Sequence, residues 1–99
     1  PGFIVNRLLT PFTLNAIRML EADIATRDDI DDAVRMGLGH PLGPLQLADL
    51  IGLDIIYYSA SARYEELKEP QYAPPPLLKR MVSAGWLGRK TGKGFYDYA

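Results

Sequence analysis

Apolar side chains return every third or fourth residue along this chain, and no stretch alternates apolar with polar as a half-buried strand requires. That pattern confines the fold to helices. Val5, Leu8, Leu9, Phe12, Ala16 and Leu20 mark a first helix from about Phe3 to Asp23, with Asn6, Thr10 and Thr13 as a separate polar stripe. Pro11 lies inside it. Proline offers no N–H to the carbonyl four residues back and clashes with it, so a kink is expected near Arg7 to Pro11. Thr26 stands where an N-cap belongs, and Asp28, Asp29, Asp31 and Asp32 crowd the first turns of a second helix. Its buried stripe is expected at Ile30, Val34 and Leu38, and Gly37 or Gly39 ends it. Pro44 suits the first position of a third helix, "PLQLADLIG", which Gly52 breaks. "LDIIYYSASARYEELK" reads as a fourth, with Ile56, Ala60, Tyr64 and Leu67 on one side. "EPQYAPPP" is expected to be irregular, because each proline disfavours a helical residue before it. "PLLKRMVSAG" makes a last helix, ended by Gly85. The expectation is an all-α bundle of about five helices, with a kinked first helix and an extended C-terminal tail.

Composition narrows the classes further. A chain of 99 residues suits one domain with one modest core. A net charge of −1 argues against a non-specific grip on nucleic acid. Cysteine is absent, which removes disulfides, thiolate metal sites and a cysteine nucleophile and fits a cytoplasmic protein. No apolar run is long enough to span a bilayer. The chain opens without Met, directly in "PGFIVNRLL", and no signal peptide is recognisable there. Such a start is expected of a piece of a longer protein.

Four local features invite a chemical reading. "GWLGRKTGKGFYDYA" suggests a phosphate cradle. A P-loop needs G-x-x-x-x-G-K-[ST] between a strand and a helix. Here Gly88 and Gly92 are one residue too close, and Gly94 stands where the metal-binding hydroxyl belongs. The reading that survives is a tight turn that folds "FYDY" back on the helices, anchored by Phe95, Tyr96 and Tyr98. The "DDIDD" run lacks the glycine and distal glutamate of a calcium loop and reads as a solvated helix start. His40 is the only histidine, so no histidine metal cluster forms, and its Gly-Pro loop favours a structural role. No metal site is expected. Asn6, between Val5 and Leu8 on an otherwise apolar segment, is the one polar residue marked for function.

Taken together, "PGFIVNRLL", "DIDDAVRMGLGHPLGPLQLADLIGLD" and "APPPLLKRMVSAGWLGRKTGKGFYDY" strongly resemble the C-terminal domain of the 3-hydroxyacyl-CoA dehydrogenases, in order and spacing, over essentially the whole chain. The last run is closest to the bacterial 3-hydroxybutyryl-CoA branch. Leu42 stands where the family commonly has Met, a volume-conserving change. The resemblance implies that residues 1–99 are a helical substrate and dimerisation domain. An N-terminal Rossmann domain would bind NAD and carry the catalytic His and Glu, so no catalytic or cofactor-binding residue is expected in this chain. The family's cleft-facing Asn falls on Asn6, which is thereby implied to bind the acyl-CoA substrate. A homodimer is implied, with the helices of Ile17, Leu20, Ile55 and Ile56 as candidates for its interface. The rival readings are a stand-alone helical dimerisation or binding module and a part of a multifunctional fatty-acid oxidation protein.

Overall fold

The computed structural model describes residues 2–98. Five α-helices follow one another in the order α1 (Gly2–Glu21), α2 (Arg27–Leu38), α3 (Pro44–Ile51), α4 (Leu53–Leu67) and α5 (Pro76–Ser83). Two short 3₁₀ turns, Pro70–Tyr72 and Arg89–Thr91, lie between α4 and α5 and in the tail. Leu14 and Ile17 from α1, Leu45 from α3, Leu53 from α4 and Leu78 from α5 are fully buried and meet in one core. Helix α1 runs through Pro11 as a single element.

Local sequence rules explain most boundaries. The Thr26 hydroxyl accepts the Asp29 N–H at 3.2 Å and caps α2, which ends at Gly39 in the left-handed conformation. Helix α5 closes with paired bonds, Gly85 N–H to Val82 carbonyl and Trp86 N–H to Met81 carbonyl, around a left-handed Gly85. Pro70–Tyr72 is ordered as a 3₁₀ turn rather than irregular, and Pro76 is already the first residue of α5.

Packing departs from the expected stripes at three places. Phe3, Ile4, Val5 and Leu8 are exposed, Phe3 by 68% and Leu8 by 70%. The buried face of α1 is instead Thr13, Leu14, Ala16 and Ile17. Among the described residues only the Pro70–Tyr72 turn and the facing side of α4 come near the first two turns of α1, because the other elements gather around its C-terminal half. On α2 only Ile30 of the expected stripe is buried, and Leu38 is open to solvent. Ile17 and Ile56 belong to the core, whereas Ile55 on the same helix as Ile56 is half exposed.

Three helix and loop starts lack a capping side chain of their own, and carboxylates from elsewhere supply it. Gly43 precedes α3. Asp31 of α2 accepts the N–H groups of Leu45 at 2.8 Å and Gln46 at 3.0 Å, and Gln46 turns back to accept the Gly43 N–H at 2.9 Å. A Cβ on Gly43 would overlap Asp31, so glycine here makes room for the borrowed cap. Pro75 precedes α5, and Glu21 at the end of α1 accepts the Leu77 N–H at 2.6 Å. The tail is held in the same way by Asp49 of α3.

Candidate functional site

Helix periodicity brings the polar stripe of α1 to one place. Asn6, Thr10 and Thr13 are four and three residues apart, so they share a face. That face lines a cleft of about 160 Å³ against Ile51 at the end of α3 and Ile55, Ile56, Ser59 and Arg63 of α4. Leu9 completes the wall on α1. Asn6 lies in the exposed first half of α1, beside Val5 and Leu8, and its amide can both donate and accept. Thr13, at the other end of the stripe, is buried. The cleft is therefore walled by isoleucine and leucine, with amide, hydroxyl and guanidinium groups spaced along it. Such a mixture suits a short apolar chain that carries oxygen atoms.

The glycine-rich tail performs a different task. The Phe95 N–H and Tyr96 N–H donate to Asp49 at 2.9 and 3.0 Å, and the Tyr98 hydroxyl donates to it at 2.6 Å. The Tyr96 hydroxyl donates to Asp31 at 2.6 Å. Both carboxylates are almost completely buried. Gly88 and Gly94 close around Asp49 so tightly that a Cβ on either would overlap it. A nucleotide phosphate needs free N–H donors, and here Asp49 already occupies two of the tail's donors and stands where the anion would sit. The chain's own glycines thus do not fit the pyrophosphate of NAD. The ring of Phe95 fills the core, and Lys90 pairs with Asp54 of α4 at 2.7 Å, holding that carboxyl below the usual carboxylate range. The tail expected to be extended is a strap pinned to α2, α3 and α4.

This clasp titrates at high pH. Burial, then the hydrogen bond and charge of Asp49, pushes the Tyr98 phenol up to about 12, and burial with Asp31 pushes Tyr96 up as well. Both phenols must stay protonated to donate. The stability they contribute is therefore complete below the ordinary tyrosine pKa of about 10 and is lost as pH rises through the raised values. We expect the melting temperature to fall across that window more steeply in the wild type than in a Tyr96→Phe, Tyr98→Phe double variant. Parallel curves for the two proteins would show that the phenols do not couple to folding.

The other expected features resolve simply. His40 is exposed and its ring lies 5.7 Å from that of Phe12. Asp28 and Asp29 occupy the first turn of α2, whereas Asp31 is buried rather than solvated. Among the described residues no three metal-ligating side chains come together, and no helix is long and apolar enough to cross a membrane. Asp31 and Asp49 escaped sequence reasoning as determinants of the fold. The available signal was indirect: Gly43 and Pro44 begin a helix with no capping side chain, and Asp49 interrupts an apolar helix.

Fold and cleft together define a small helical domain with one groove that polar side chains of α1 and α4 line among isoleucines and a leucine. Residues 2–98 match the family model described as 3-hydroxyacyl-CoA dehydrogenase, C-terminal domain, and the chain belongs to that family. It is 60% identical over 97 residues to a 3-hydroxybutyryl-CoA dehydrogenase of Mycobacterium tuberculosis, covering 98% of this chain and 34% of the relative. The crystal structure of FadB2 from M. tuberculosis superposes with a TM-score of 0.95 at 59% identity, over 97% of this chain and 34% of that one. The (S)-3-hydroxybutyryl-CoA dehydrogenase PaaH1 from Ralstonia eutropha gives 0.95 at 45% identity, over 100% of this chain and 35% of that one. The chain thus spans about a third of the length of these relatives.

Proposed function

We propose that this chain is the acyl-side domain of an NAD-dependent (3S)-hydroxyacyl-CoA dehydrogenase, with 3-hydroxybutyryl-CoA as substrate. The observation that carries the reading is the cleft that places Asn6, Thr10 and Thr13 opposite the isoleucines of α4. Two of the relatives named above are called 3-hydroxybutyryl-CoA dehydrogenases. An N-terminal domain would bind NAD, which takes the hydride from C3 of the substrate, and would carry the His that accepts the hydroxyl proton and the Glu that orients it. The part of this chain is to close the cleft. The apolar walls exclude water from the acyl chain, and the Asn6 amide donates to an acyl oxygen while accepting from a neighbouring hydroxyl. Asn6 moves no proton. Its value is that a rigid helix holds it in place. The test is direct. The joined two-domain protein should oxidise (3S)-hydroxybutyryl-CoA with NAD, and the 99-residue chain alone should not. Turnover by the chain alone, or none by the joined protein, would sink the reading.

The same reading includes a cytoplasmic homodimer. Its support here is the exposed apolar face of α1, Phe3, Ile4, Val5 and Leu8, with Leu50, Ile55 and Tyr58 exposed on α3 and α4. Large exposed apolar patches mark interfaces, and two-fold symmetry is the commonest way for a chain to cover one. Sedimentation at micromolar concentration should show a dimer of the two-domain protein, and a clean monomer would count against it.

A further inference from the structure

We propose that Arg18 is a positioning residue for Asn6, an inference that rests on the reading of Asn6 given above: through the Pro70–Tyr72 turn it splints α1 across Pro11 and holds the first two turns of the helix at the cleft. Proline leaves the carbonyl of Arg7 without its helical partner, so α1 bends most easily there. Yet α1 runs unbroken from Gly2 to Glu21. Ile4, Pro11 and Arg18 are seven residues apart, close to two turns each, and share one side of the helix. At about 100° per residue, Asn6, Thr10 and Thr13 fall on the opposite side. A change of bend at Pro11 therefore swings Asn6 towards or away from α4. Asn6 is five residues from Pro11, about 7.5 Å along the axis, so about 10° of bend moves it by about 1.3 Å.

The splint is fixed by α1 itself. Nη2 of Arg18 donates to the carbonyls of Pro70 and Gln71 at 3.2 Å and of Ala73 at 2.8 Å, and Nη1 donates to Asn15 Oδ1 at 2.7 Å. A charged donor makes bonds about twice as strong as a neutral one. Side chains on a helix lean towards its N-terminus, so Arg18 reaches back along α1 to the turn. Glu21, three residues on, accepts the Leu77 N–H at 2.6 Å. The last turn of α1 thus grips the α4–α5 connection at the Pro70–Tyr72 turn and again at the start of α5. Tyr72 is buried, and Gln71 and Tyr72 line one groove with Ile4, Arg7 and Pro11. The turn therefore lies along α1 at the proline and before it, while Arg18 sets its shape from beyond.

The experiment is a double-mutant cycle on kcat in the two-domain protein, with (3S)-hydroxybutyryl-CoA and NAD: wild type, Arg18→Met, Asn6→Ala and the double variant. Misplacing a group by about 1 Å at a reacting centre costs up to about 10²-fold, so Arg18→Met is expected to lower kcat about 10- to 100-fold. In the Asn6→Ala background the same substitution should change kcat by less than about 2-fold, because no amide is left to misplace. Amide exchange in residues 4–10 should also quicken in Arg18→Met. An unchanged kcat in Arg18→Met, or unchanged exchange in those residues, overturns the proposal. So does a fall of equal factor in both backgrounds, which is what a general loss of packing gives. Should Arg18→Met fail to fold, Arg18→Lys serves, since it keeps the charge and loses the fork. A fall in kcat that vanishes in the Asn6→Ala background then supports the proposal, and no fall, or one equal in both, overturns it. Asn6→Ala with the kcat of the wild type overturns the reading of Asn6, and this inference with it.

Discussion

Replacing Asn6 with alanine in the two-domain protein is expected to lower turnover by about 10²- to 10³-fold while the domain keeps its melting temperature. The magnitude is that of one preorganised hydrogen bond to oxygen at a reacting centre. The unchanged fold follows from exposure: Asn6 lies on the first two turns of α1, where no core packing depends on it. Asn6→Asp should also be harmful, because a carboxylate cannot donate and repels negative charge developing on the substrate oxygen. If Asn6 merely satisfied a backbone carbonyl freed by Pro11, the alanine variant would melt earlier and turn over normally. Measuring kcat and melting temperature on the same variant separates the two.

Asp49→Ala should have the largest effect on stability. The carboxylate receives two backbone N–H groups and a tyrosine hydroxyl inside the protein. Each hydrogen bond to a charged group is worth about 1.5 to 3 kcal/mol, and unpaired buried donors add a penalty of their own. A cost of about 3 kcal/mol or more is a large share of the 5 to 15 kcal/mol that holds a typical domain together. Tyr98→Phe removes one of the three bonds and should cost about 1.5 to 3 kcal/mol. Urea unfolding of the 99-residue chain checks both, and an Asp49→Ala midpoint equal to that of the wild type would remove Asp49 from this role.

Helix count and boundaries were legible in the sequence because they depend on local rules. Thr26, Pro44, Gly52 and Gly85 act on their own neighbours, and each ends or begins a helix where those rules put it. Which face of a helix is buried depends on what lies opposite, and periodicity cannot tell. Val5 and Leu8 continue the stripe of α1 but find nothing to pack on. Asp31 looked like one of four equivalent acids, since its Leu45 partner is 14 residues away. The cleft was half legible. The stripe Asn6, Thr10, Thr13 follows from spacing, whereas Ser59 and Arg63 join it only because α3, α5 and the Pro70–Tyr72 turn, which pack on both helices, hold α4 across the cleft from α1.

Helix α3 has eight residues, fewer than an isolated helix needs to persist in water. It takes its cap from α2 at one end and gives Asp49 to the tail at the other. Tyr96 ties the tail back to the very acid that caps α3. Fraying at the C-terminus is consequently not a private event of the last few residues. To peel away, the strap must uncover both acids and strip α3 of its supports, so the strap and α3 open as one cooperative unit. The free energy of that opening approaches that of the whole domain, and amide exchange in the tail should be as slow as in the core. The tail is thus built into the core, whereas the first two turns of α1, which carry Asn6, are the helical turns left open to solvent.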